Sequence, residues 1–288
     1  MDEFGALAHL ADELGVSDDC AAVDTPDESN LLLTTDMLHE TTDFPDGVTP
    51  RVVGWRSAAV SLSDVAGSGG RALAVVAAYG APDFDDRLDA FVRGASDACE
   101  TVGARYVGGD LDSHDERTVV SSALGATDDV VTRSGACVGD VVAVTGALGR
   151  TAVALRAFED GDAERGNELF AFPPRVNEGV ALAPYATAMT DLSDGIAVGL
   201  HNLADASDVG FAVERDLLPT LPEAREDDIY VGEDYELLLT LPRDDVEEAG
   251  DAVGETEASL SVIGEVVEGE NGVRMDGTPL ERLGYEHG

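Results

Sequence analysis

The stretch "VSLSDVAGSGGRALAVVAAYG", Val60 to Gly80, changes its pattern half-way. Its first part completes a segment from about Thr49 to Val65 that carries Val52, Val53, Ala59, Val60 and Leu62 and reads as a long helix. The glycines of "AGSGG" stop that helix, and "RALAVVAAYG" behind them reads as a strand. Asp64 therefore falls at a helix end, close to a turn.

The same alternation extends in both directions. Upstream, a helix is expected from Glu3 to Leu14, then the loop "GVSDDCAAVD" and the strand "NLLLTTDM". Downstream come a helix from about Asp85 to Val102, a short strand "RYVGGDLDS" breaking into a glycine loop, and a strand "RTVVSSALGAT". From "TRSGACVGDVVAVTGALGRTAVAL" the pattern restarts, with helices near Arg175–Tyr185 and Ile196–Ala206 and strands at "VGFAVE", "YELLLTLP" and "LSVIGEVVE". Two halves of similar length, each alternating, predict an α/β protein of two domains, 1–131 and 132–288, joined near Val130–Arg133.

Composition narrows the function. The chain of 288 residues has 59 acidic and 17 basic residues and a formal charge of −42. Such a field repels the phosphate backbone of nucleic acid and anionic membranes, so cations, or anions carried with metal ions, are the expected partners. All 17 basic residues are arginine. Without lysine there is no Walker A loop, no protein-kinase strand lysine and no pyridoxal Schiff base. An acid-rich, lysine-free surface is also what concentrated salt selects, because screening weakens self-repulsion and carboxylates hold water. Most acids are then solvated surface, and any acidic motif must stand out from that background. Cys20, Cys99 and Cys137 are odd in number and far apart, which suggests neither disulfide framework nor zinc knuckle. With an acidic amphipathic start and no apolar run of membrane-spanning length, a cytoplasmic protein is expected.

Five acidic motifs fall on the strand and helix ends: "SDDCA", "TTDM", "LSDVAG", "GGDLDS" and "TDLSDG". Carboxylates beside hydroxyls are the ligands a hard cation such as Mg²⁺ requires, with phosphate oxygens completing its shell. Each motif has a plainer explanation. Asp191 and Ser193 could cap the helix that follows, "SDD" could be surface acid, and "GGD" could be a tight turn. A calcium loop at "DLDSHD" lacks the glycine and the closing glutamate that it needs.

Taken in order, "SDDCAAV", "TTDML", "SLSDVAG", "GGD", "TRSG", "VTGALG", "DLSDG" and "GEDYELL" resemble the ATP-dependent thiamine-monophosphate kinases, over nearly the whole chain. The wider group is similar to aminoimidazole ribonucleotide synthetase and selenophosphate synthetase. The resemblance implies a two-domain α/β fold of mixed sheets packed with helices, working as a homodimer. It also implies transfer of the ATP γ-phosphoryl group to thiamine monophosphate.

By motif, it implies magnesium ligands at Asp19, Thr34, Thr35, Asp36, Asp64, Asp110, Asp191 and Asp194, with catalysis resting on Asp36, Asp64 and Asp194. ATP contacts fall on Gly109, Asp110, Arg133 and Ser193. Contacts to the thiamine moiety fall on Glu233 and Tyr285. Where the family often has His-Phe after "TTD", this chain has Asp43-Phe44, so Asp43 stands at a substrate position with altered chemistry. His39 reads as a surface residue and Trp55 as core or dimer packing. A sister enzyme with another acceptor, and a non-catalytic cation-binding scaffold, are the competing readings; a selenophosphate synthetase would normally offer an N-terminal Cys or Sec, and the first nineteen residues contain neither.

Overall fold

The computed structural model describes residues 18–25, 29–256 and 258–284. The expected helix at Glu3–Leu14 and the candidate residue Tyr285 lie outside the described residues.

The first half forms a five-stranded sheet from β1 (Ala21–Asp24), β2 (Asn30–His39), β3 (Arg71–Ala81), β4 (Arg105–Ser113) and β5 (Thr118–Thr127). Their order is β1-β2-β5-β3-β4, antiparallel except for β3 and β4. A short helix, α1 (Glu40–Asp43), follows β2, and two long helices, α2 (Pro50–Gly67) and α3 (Asp86–Thr101), accompany this sheet. Pairing in β2 alternates sides: Leu32, Thr34 and Leu38 are buried, while Leu33, Thr35 and Met37 are exposed.

Helix α2 is the centre of the molecule. It starts at Pro50, pre-set for a first helical position, with the Thr49 side chain accepting from the Val52 amide. Thirteen of its 18 residues are buried, too many for a one-sided helix; it is covered by the first sheet, by α3 and by the second domain. Glycine allows these close approaches: a Cβ on Gly54 would collide with the Phe91 carbonyl, and one on Gly94 with that of Arg51. The helix runs further than the apolar pattern indicated. Amides of Ser68, Gly69 and Gly70 close onto the carbonyls of Asp64, Ala66 and Val65, and Gly69 has φ +70°. Asp64 lies in the last turn, at the helix end where the sequence put it.

The second half builds a seven-stranded sheet of order β12-β11-β8-β10-β6-β9-β7. Its strands are β6 (Val141–Thr145), β7 (Ala188–Asp191), β8 (Val209–Val213), β9 (Leu237–Leu241), β10 (Leu260–Glu268), β11 (Val273–Met275) and β12 (Thr278–Pro279). Its helices are α4 (Arg150–Glu159), α5 (Ala163–Phe170), α6 (Val176–Leu182), α7 (Ile196–Ser207) and α8 (Val246–Gly254). Strands β6 and β9 are buried along their whole length, which is why they read as apolar runs broken by one threonine each. Helix α6 presses on the end of α2, where a Cβ on Gly179 would collide with the Ala66 carbonyl. That contact, together with β7 against α2, docks the two halves at Asp64.

Candidate active site

Four separate segments deliver carboxylates to one place. Asp19 comes from the chain just before β1, Asp36 from the inner face of β2, Asp64 from the last turn of α2 and Asp191 from the last residue of β7. Ligand oxygens of Asp19, Asp64 and Asp191 all lie within 4.8 Å of one another. Hydroxyls from both halves hold them. Thr34 Oγ1 donates to Asp64, Ser61 Oγ to Asp36 at 2.6 Å, Ser63 Oγ to Asp191 at 2.6 Å and Thr190 Oγ1 to Asp19 at 3.0 Å.

Arg133 closes the other side. Its Nε donates to Asp19 Oδ1 at 2.9 Å, its Nη2 to the same oxygen, and its backbone amide to Asp18 at 2.8 Å. The geometry leaves no slack, since a Cβ on Gly67 would strike the Asp19 carboxylate.

Burial dominates the electrostatics. It raises the pKa of Asp64 well above the usual carboxylate range, with the charges of Asp36, Asp191 and Asp19 adding to the effect. Asp191 is pushed up to about 8, first by burial and then by Asp19. Asp19 and Asp36 move the same way for the same first reason, opposed by Arg133 and by Ser61 respectively. A cluster of hard oxygens that is costly to ionise alone is suited to a divalent cation, whose charge reverses that cost. Asp19, Asp36, Asp64 and Asp191 are the residues that could hold it.

The remaining sequence candidates divide. The Thr35 side chain faces away from the cluster, bonded to the Ser121 carbonyl and to Ser122, because alternation along β2 sends it to the opposite face from Thr34. Gly109 and Asp110 lie in the middle of edge strand β4, not in the expected glycine loop. Gly109 serves the sheet, as a Cβ there would collide with the Ala77 carbonyl, and Asp110 is exposed. Asp194 and Ser193 form the turn between β7 and α7. The N-cap of α7 is Gly195, and Asp191 accepts from Ser63 rather than from a helix amide, so the capping explanation of Asp191 and Ser193 does not hold. Asp194 is packed beneath Gly232, and Gly284, the residue before Tyr285, would touch the Asp194 carbonyl if it bore a Cβ.

Glu233 lies on the adjoining loop, its amide donating to the Ser193 carbonyl at 2.5 Å and its carboxylate 3.0 Å from Arg56 Nη2. Asp43 is buried, and its Oδ2 accepts from the His39 amide at 2.6 Å and Thr42 Oγ1 at 2.7 Å. His39 contacts Thr118 at the surface, and Trp55 packs in the core with its Nε1 donating to the Phe172 carbonyl.

Sequence reading missed several members. Ser61, Ser63 and Thr190 orient the carboxylates, and the two serines carried a signal, being polar in a helix with no polar face. Asp234 accepts from the amides of Gly149 and Thr151, capping α4 across the fold, and burial raises it to about 7. Glu236 is clamped by Arg175 at 2.6 and 2.7 Å. Neither role is visible in "GEDYELL", because the partners lie some 60 to 85 residues away.

Residues 17–127 match the family of AIR synthase related proteins in its N-terminal domain, and residues 138–277 match that family's C-terminal domain. The chain belongs to this family. Among its members, the thiamine-monophosphate kinase of Halobacterium salinarum is 50% identical, with 100% of both chains covered. That of Methanospirillum hungatei is 41% identical over 94% of this chain and 93% of its own. A solved structure described as AaThiL complexed with AMPPCP and TMP superposes with a TM-score of 0.89 at 28% identity, covering 100% of this chain and 97% of that one. HypE, a hydrogenase maturation protein solved in complex with ATP, shares the fold at 20% identity and a TM-score of 0.72.

Proposed function

We infer that this chain is a thiamine-monophosphate kinase, transferring the ATP γ-phosphoryl group to thiamine monophosphate to give thiamine diphosphate and ADP. The observation that carries the reading is the convergence of Asp19, Asp36, Asp64 and Asp191 from both domains onto one buried point beside Arg133. Full-length identity to named kinases supports it.

The acceptor is itself a phosphate. With a second pKa of roughly 6 it is mostly ionised at neutral pH and needs little help from a base. The obstacle is repulsion between two anions. Magnesium ions held by these carboxylates supply the neutralising charge when bound. The protein's own contribution is to orient the carboxylates through Ser61, Ser63, Thr34 and Thr190, and to present Arg133, whose guanidinium suits phosphate oxygens. Ser193 and Asp194 belong to the same turn region, and Glu233 and Tyr285 are assigned to the thiamine moiety by their motifs.

The enzyme is proposed to act in the cytoplasm, where ATP is made, and in concentrated salt, which the charge of −42 calls for. Among the described residues no helix is long and apolar enough to cross a membrane. A homodimer is proposed through the uncovered face of the first sheet. There Leu33 and Met37 of β2, Val23 of β1 and Val76 of β3 are 41–55% exposed, an apolar surface suited to a second copy.

The test incubates the purified protein in concentrated salt with ATP, Mg²⁺ and thiamine monophosphate. Thiamine diphosphate is the expected product, and release of phosphate without it would sink the assignment. Asp194 is a magnesium ligand by its motif alone; if it serves as one, Asp194→Asn should lower turnover by about a thousandfold with the fold intact, as an amide cannot match a carboxylate's charge at a metal.

A further inference from the structure

The side chain with the least obvious reason to be where it is belongs to Arg56. It is a guanidinium with no exposed surface, on α2, in a protein whose other arginines are largely at or near solvent. Its Nη1 donates to the Phe170 carbonyl at 3.1 Å, and its Nη2 lies 3.0 Å from Glu233 Oε2. Its Cζ sits over the Phe170 ring, 3.8 Å from the ring centre, with the centres of the Phe172 and Tyr235 rings 5.3 and 5.6 Å away. Those last two rings stack on each other at 4.4 Å and 15°, and Trp55 anchors the backbone between them and α2 through the Phe172 carbonyl. Arg56 therefore reaches across the domain junction to grip one carboxylate and one aromatic wall.

Two further observations argue against a packing role alone. Arg56 Nε and Nη2 are buried without a well-formed hydrogen bond, although every donor of a buried guanidinium is expensive to leave unmade. Glu233 and Tyr235 both have left-handed backbones, φ +57° and +52°, which side-chain-bearing residues keep only when their surroundings impose it. The Glu233 side chain retains 12% exposure, so the gripped carboxylate still has an open edge.

The position on α2 gives this arrangement a scale. Arg56 and Asp64 are eight residues apart on one helix, about 12 Å along its axis, which is the reach of a phosphate joined by a short arm to two linked rings. A carboxylate with an open edge, backed by a buried aromatic cluster of low dielectric, is also the chemistry that attracts a cationic heteroaromatic ring.

We infer that Arg56 is a positioning residue for the acceptor: bedded in the buried Phe170, Phe172 and Tyr235 rings, it fixes Glu233 at a set distance from the carboxylate cluster so that the open edge of that carboxylate meets the ring end of thiamine monophosphate. This inference rests on the kinase reading above. It predicts that Arg56 governs affinity for the acceptor and leaves ATP alone, since nucleotide binding falls to the other end of α2.

The test is steady-state kinetics on Arg56→Lys, Glu233→Gln and the double variant, in concentrated salt with saturating Mg²⁺. Lysine keeps the charge but not the planar fork. Arg56→Lys should raise KM for thiamine monophosphate about tenfold or more, with KM for ATP held within about twofold. The double variant should be no worse than Glu233→Gln alone, because both changes remove one coupling. Should Arg56→Lys fail to fold, Phe172→Leu leaves the ion pair in place and should show the same selective rise. Equal changes in both KM values, a fall in kcat alone, or full additivity would overturn the inference while leaving the kinase reading intact. An unaltered protein that makes no thiamine diphosphate would remove the kinase reading first, and this inference with it.

Discussion

Asp191→Asn should make the metal-free protein more stable while abolishing its response to magnesium. In the folded protein Asp191 is pushed up to about 8 from an ordinary 3.8. At pH 7 folding must therefore place a proton on a group that the unfolded chain has ionised. At about 1.4 kcal/mol per pH unit over the 3.2 units between 3.8 and 7, that costs about 4 kcal/mol.

The sign follows from proton counts. Between pH 4 and 8 the folded state binds more protons than the unfolded state, so stability falls as pH rises through that window. Asparagine is neutral throughout and can still accept from Ser63 through its amide oxygen. The variant's advantage should grow from about 2 kcal/mol at pH 5 towards about 4 kcal/mol at pH 7, the latter a ceiling because Asp19 and Asp64 relax once a neighbour is neutral.

Denaturant unfolding at fixed high KCl with EDTA, at pH 5, 6, 7 and 8, measures this directly. Repeating it with Mg²⁺ should reverse the order, the wild type gaining by mass action and the variant gaining little. A variant less stable than wild type in EDTA at pH 8, or equally stabilised by Mg²⁺, would refute the reasoning.

Other consequences follow from the same geometry. Gly67→Ala should abolish kinase activity and the Mg²⁺-dependent rise in Tm while leaving far-UV circular dichroism unchanged, because the added methyl strikes the Asp19 carboxylate and crowds the Asp191 amide; retained activity would show that the packing of this corner is dispensable. Gly54→Ala should lower stability by about 3 kcal/mol in denaturant unfolding, since its methyl meets the rigid Phe91 carbonyl where α2 crosses α3. Met37→Asp should shift the sedimenting species from dimer to monomer at fixed salt, as it puts a charge on the uncovered sheet face; an unchanged mass would place any dimer contact elsewhere.

Much of the architecture was legible in the residues. The glycines after α2, the alternating pattern of β2 and the apolar runs of β6 and β9 gave element types, because local periodicity is set by which faces meet the core. Element ends were less legible. The last turn of α2 depends on three backbone bonds that its glycines allow, and β4 continues through Gly108 and Gly109 because it is held along β3. A loop composition became a strand through its neighbour.

The site shows the same division. Charge, the absence of lysine and five acidic motifs in order indicated hard-cation and phosphate chemistry, since ligand type is a property of the residues themselves. Which of those acids meet was decided by the fold. Asp19, Asp36, Asp64 and Asp191 converge because β2, α2 and β7 pack at one junction, whereas Asp110 is left on an edge strand and the Thr35 side chain on the far face of β2. The raised pKa of Asp191 and the grip of Arg56 on Glu233 have no local signature either. Burial and opposing charge arise only when segments over a hundred residues apart are brought within hydrogen-bonding distance.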